Sequence, residues 1–92
     1  MDDDRREQLC AAVAARHEIR FSYGHDRKTI APYLVYETED GELFVAGPTQ
    51  PFGKWHEYIV AAITKLERTG ERFEPDPHVA PQRQYHKVIC ST

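Results

Sequence analysis

The densest group of side chains able to do chemistry is Phe52, Lys54, Trp55 and His56. Two aromatic rings beside two basic groups suit stacking on a nucleic-acid base with contact to its phosphate. Tyr33, Tyr36 and Arg27 extend the same surface if the strand carrying them lies alongside. The structural alternative is that Trp55 covers a thin core and Lys54 is simply solvated. Five histidines (His17, His25, His56, His78 and His86) and two cysteines (Cys10 and Cys90) are the remaining candidates. A catalytic zinc site needs three convergent ligands and an open position. His86 and Cys90 align only on a helix, which the intervening Val88 and Ile89 disfavour. Cys10 and His17 share a helix face but stand about 10 Å apart along its axis, too far for a nucleophile and its base. Glu57 alternates to the strand face opposite His56, so the two cannot work as an acid–base pair. No catalytic residue, metal site or cofactor is expected, and the chain does not read as an enzyme.

The elements that must position these residues are small. The chain has 92 residues, enough for one domain, with 40% hydrophobic and 29% charged residues. Its formal charge of −3 argues against a dedicated nucleic-acid binder, which usually carries a basic surplus, but not against a local basic patch. No apolar run approaches the ~20 residues of a membrane helix, so no membrane role is expected. The acidic start, Met1-Asp2-Asp3-Asp4, is not a signal peptide. The expectation is therefore a cytoplasmic protein with two free thiols, since disulfides belong mainly to oxidising compartments.

Residues 4–16 read as a helix, with Asp4 and Glu7 as a capping-box-like pair and Leu9, Ala12 and Val13 on one face. Ile19-Arg20-Phe21-Ser22-Tyr23 alternates as a strand with one buried face. A turn at residues 24–27 leads to a second strand over 28–36, with Ile30, Pro32 and Leu34 on one face and an edge or bulge at Pro32. Residues 37–41 form a hairpin ending in Asp40-Gly41. The third strand, 43–47, is apolar on both faces and therefore central. A fourth spans 55–61, a short 3₁₀ turn falls at 62–64, and a fifth surrounds Leu66 and ends at Gly70, with Phe73 closing the core. Residues 74–81 are a proline-rich link, and strand-like residues around Tyr85, Val88 and Ile89 follow, with no indication of whether they pair. This places one domain over residues 1–74 and a link with a C-terminal segment over 75–92. The fold class is mainly β with an N-terminal α-helix: a small five-stranded SH3-like or Sm-like barrel, whose closure removes exposed edges.

The ordered set of residues resembles a WYL domain, a sensor module of bacterial regulators. The resemblance rests on Ile19-Arg20-Phe21-Ser22-Tyr23, then Lys28, Ile30, Pro32 and Leu34. Gly41-Glu42-Leu43-Phe44-Val45-Ala46 follows, with residues 58–63 and Phe73 after it, about fifty-five residues in all. The family's Trp-Tyr-Leu triplet falls on Glu42-Leu43-Phe44. Its basic pocket positions fall on His56, Ile59 and Ala62. The resemblance implies a stand-alone ligand-sensing or regulatory module for transcription. A nucleotide or single-stranded nucleic acid would be bound by Lys28, Tyr33, Lys54, Trp55 and His56. Tyr33 and Trp55 would stack, and Lys28, Lys54 and His56 would contact the anion. The loss of arginines supports an alternative: a protein–protein adaptor or homodimer that keeps the barrel without the pocket.

Overall fold

A computed structural model describes residues 2–50, 53–76, 78–81 and 84–92, with side chains from residue 4 onward. Helix α1 (Asp2–Ala15) is followed by seven strands: β1 (His17–Tyr23), β2 (Asp26–Ile30), β3 (Leu34–Glu37), β4 (Leu43–Pro48), β5 (Trp55–Ile59), β6 (Ile63–Arg72) and β7 (Lys87–Ser91). One 3₁₀ turn, Val60–Ala62, joins β5 to β6. The strands form two antiparallel sheets, ordered β2-β1-β6 and β5-β4-β3-β7. The mainly-β class with one N-terminal helix is as the sequence reads. A closed five-stranded barrel is not found among the described residues.

The helix buries Leu9, Ala12 and Val13, the face set by their spacing. It begins at Asp2, so Asp4 lies inside it rather than capping it. The Arg5 guanidinium donates to the Val60 carbonyl at 2.9 Å, which ties the first turns of the helix to the 3₁₀ turn. Between the layers, Leu9 and Val13 meet Ile19, Phe21, Ile30, Val35, Val45, Tyr58, Val60 and Ile63 in one cluster. In β1, Ile19 and Phe21 point into that core while Arg20 faces solvent. β4 is central, and Val45 and Ala46, on opposite faces, are both fully buried.

The strand expected over residues 28–36 is two strands in different sheets. The chain leaves the β1 partnership at Ile30, crosses at Ala31, Pro32 and Tyr33, and pairs with β4 from Leu34. Pro32 has no N–H to offer, so a break in the ladder there leaves no donor unpaired. Its neighbours use theirs on β4: Ala31 N–H donates to the Pro48 carbonyl at 3.0 Å, and Tyr33 N–H to the Ala46 carbonyl at 2.9 Å. The 3₁₀ turn lies two residues earlier than expected. β6 also runs past Gly70 to Arg72, with register shifts against β1 and positive φ at Lys65 (53°) and Gly70 (86°). Gly70 thus marks a bulge inside the strand, not its end. Phe73 is half-buried and stacks on Tyr33 with ring centroids 5.6 Å apart, outside the main core.

The C-terminal segment is part of the sheet. β7 pairs with β3, Val35 opposite Cys90 and Leu34 opposite Ser91. This corrects the reading of the cysteines. With β7 docked beside α1, Cys10 and Cys90 have Cα atoms 5.8 Å apart and form a disulfide, a separation the bond accommodates. There are no free thiols among the described residues.

Candidate functional site

β5 presents different chemistry on its two faces. Trp55 and Glu57 share one face; His56 and Tyr58 share the other, as period-two geometry requires. On the first face, Glu57 accepts from three side chains among the described residues. The Tyr36 hydroxyl donates to Oε1 at 2.6 Å; the Trp55 indole Nε1 and the Tyr85 hydroxyl each donate to Oε2 at 3.2 Å. Hydrogen bonds to an ionised acceptor are stronger than neutral ones. Around this carboxylate runs a band of rings. Tyr36 stacks on Phe44 with centroids 5.3 Å apart and lies against Tyr85 at 4.5 Å. Trp55 meets Tyr33 edge-on at 5.6 Å, and Tyr33 stacks on Phe73.

Glu57 therefore joins β3, β5 and the segment before β7. Glu57→Ala removes the shared acceptor, and we expect it to lower unfolding stability by about 2–3 kcal/mol. Amide hydrogen exchange in β7 should accelerate with it. A loss below about 0.5 kcal/mol, the range of neutral surface changes, would show that the three contacts carry no stability.

On the second face, the His56 ring lies 6.0 Å from the Tyr58 ring, which packs edge-on against Phe21 (5.1 Å) and Tyr23 (4.9 Å). Burial, and then the neighbouring Tyr23, push the Tyr58 phenol above its ordinary pKa. The Tyr23 hydroxyl accepts from the Ile59 N–H at 3.2 Å, fixing the start of the 3₁₀ turn. Elsewhere, burial and then Glu71 raise Glu18 above the usual carboxylate range.

Of the five residues expected at the binding surface, Tyr33 and Trp55 are brought together. His56 is exposed on the opposite face of β5 from Trp55. Lys54 is exposed in the loop before β5, its carbonyl accepting from the Thr49 N–H at 2.7 Å. Lys28 lies on β2 in the other sheet, opposite Phe21, with Asp26 at 4.0 Å. Arg27 is also in that sheet, its guanidinium 3.3 Å from Glu67. Phe52 lies outside the described residues. Tyr36 joins the aromatic band, as the sequence allowed, but Glu57, Phe73 and Tyr85 were not expected there. The alternation that separates Glu57 from His56 was the available clue, because it places Glu57 beside Trp55.

A second feature centres on Tyr33. A cleft of about 350 Å³ is lined by Arg16, Tyr33, Leu34, Pro75, Ala80, Ser91 and Thr92. The segment after β6 is pinned across it: Phe73 N–H donates to the Arg16 carbonyl at 2.9 Å, and Asp76 N–H to the Tyr33 hydroxyl at 2.7 Å. The Thr92 N–H closes the other side by donating to the Tyr33 carbonyl at 2.8 Å. No cluster of three or more His, Cys, Asp or Glu side chains suited to a metal exists among the described residues. No helix among them is long and apolar enough to cross a membrane.

No known family's sequence profile matches the chain, and no curated protein sequence does. Among solved structures, the chain is similar to part of proteasome accessory factor B/C (PafBC) of Arthrobacter aurescens. The TM-score is 0.70 at 17% identity, covering 79% of this chain and 13% of that one. The chain thus spans a small fraction of PafBC's length. The likeness is one of fold.

Proposed function

We propose that the chain is a WYL-like regulatory module that senses a ligand through the aromatic face around Trp55 and Tyr33. One observation carries this reading: the fold matches part of PafBC, a WYL-domain-containing regulator. In this reading the two sheets are an opened SH3-like barrel, and a nucleotide or a short single strand stacks on the partly buried Trp55. Lys54 is adjacent in sequence and supplies an anion contact. Lys28 and His56 contribute charge from other faces rather than a common pocket. The module does no catalysis of its own and requires no cofactor.

Titration with mononucleotides and short single strands is expected to shift Trp55 fluorescence and the β5 amide resonances. The response should weaken with salt, because phosphate contact releases counterions. Silence at millimolar ligand, or a response indifferent to salt, would refute the nucleotide form of the reading.

A second reading, an adaptor or homodimer, draws support from the uncharged Ile59 and Ala62 at the family's basic positions. It draws further support from β7, an edge strand whose Val88 is 49% exposed. An unpaired edge is a ready partner for another strand. Light scattering across concentration distinguishes the two: a monomer throughout excludes self-association.

A further inference from the structure

The cleft shares Tyr33 with the aromatic face around Glu57, but the rest of its lining and its chemistry are its own. Its volume of about 350 Å³ falls within the range of small-molecule sites. Tyr33, Leu34, Pro75 and Ala80 give it apolar walls; Ser91 and Thr92 add hydroxyls; Arg16 is the only charged side chain among the described residues that line it. Among the described residues the Arg16 guanidinium has no ion-pair or hydrogen-bond partner. Its backbone, by contrast, is fixed: its N–H donates to Val13 and its carbonyl accepts from Phe73.

Arg16 also stands where arginine is a poor choice. It is the residue after α1, with φ of 58°. That left-handed position at a helix end favours glycine, because a Cβ is strained there. Here a long cation occupies it, beside an apolar cleft and without a partner. A single guanidinium matches one carboxylate in bidentate fashion. A phosphate dianion would gain from a second cation, and among the described residues lining the cleft there is none.

Building on the sensing reading above, we propose that this cleft binds a small monocarboxylate with a flat apolar body. The body lies among Tyr33, Leu34, Pro75 and Ala80, and the carboxylate meets Arg16. The Cys10–Cys90 bond holds the two walls in place, since α1 leads into Arg16 and Cys90 precedes Ser91 and Thr92.

The test is resonance mapping with benzoate, and with benzamide as its neutral counterpart. Benzoate is expected to shift the amides of Leu34, Ser91 and Thr92 with a Kd on the order of 1 mM. Benzamide should bind at least roughly tenfold more weakly, since it lacks the charge-assisted contact. Arg16→Gly should erase the difference between the two compounds while its melting midpoint stays level or rises. Arg16→Gln, which keeps the backbone strain, should also erase it. Equal response to benzoate and benzamide, no response to either, or full benzoate binding by both variants would overturn the proposal. A nucleotide response in β5 with benzoate silent would overturn this inference alone. Silence to both classes would overturn the sensing reading with it.

Discussion

Reduction of the Cys10–Cys90 bond is expected to lower the free energy of unfolding by about 4–5 kcal/mol. The bond spans 80 residues of sequence, so it removes more freedom from the unfolded chain than a short loop would. A domain of this size typically has a net stability of roughly 5–10 kcal/mol, so reduction takes away between about two-fifths and nearly all of it. β7 should be the first element to loosen, because it is an edge strand whose one ladder is to β3. Urea unfolding of the oxidised chain, the reduced chain and a Cys10→Ser/Cys90→Ser variant measures the effect. The variant should behave as the reduced chain does. A difference under about 1 kcal/mol between oxidised and reduced forms, far below the loop-closure value, would mean the unfolded chain is already compact. The bond also bears on compartment. A persistent disulfide fits an oxidising environment, whereas in a glutathione-buffered cytosol it would be transient. Thiol labelling of the protein drawn directly from its cells decides between them.

Gly47→Ala is expected to destabilise by about 3 kcal/mol or more, or to prevent folding. A Cβ at Gly47 would lie 1.9 Å from the Ala31 carbonyl oxygen and 3.2 Å from the Tyr33 nitrogen. Both obstructing atoms are backbone, at the crossing from β2 to β3, whose position is fixed by the Ala31 and Tyr33 N–H groups donating to β4. No rotamer change can relieve the contact. Glycine is found in strands where a second backbone approaches this closely. Gly41→Ala is the control: nothing lies within 4 Å, and the cost is confined to its φ of 84°, about 1 kcal/mol. Circular dichroism melts of both variants compare them directly. Similar losses at the two positions would contradict the crossing geometry.

The sequence shows clearly whatever depends on local pattern. The helix face at Leu9, Ala12 and Val13, the alternation of β1, the Asp40-Gly41 turn and the central place of β4 all follow from neighbouring residues. What escapes depends on residues far apart in the chain. Ile30 and Pro32 are both buried, so the pattern runs on through the crossing, and no periodicity marks the change of sheet. The cysteine pairing requires β7 to dock beside α1, and nothing near Cys90 encodes that. For the site, Tyr33 and Trp55 come together through the β3–β4–β5 order, while adjacency in sequence placed Trp55 and His56 on opposite faces. The cleft at Arg16 is built from both ends of the chain and has no local motif.

The disulfide also changes how the molecule would bear load. The bond turns residues 10–90 into a covalent ring. Tension applied through the segments flanking the two cysteines passes from Cys10 directly to Cys90 and bypasses both sheets. In the oxidised state the ring cannot be drawn out, so a stretching experiment would record no unfolding step from within it. Once reduced, the same 80-residue interval can extend to roughly 270 Å, at about 3.4 Å per residue. The two redox states thus differ in compliance far more than in shape, and a tether attached across the cysteines would be stiff in one and slack in the other.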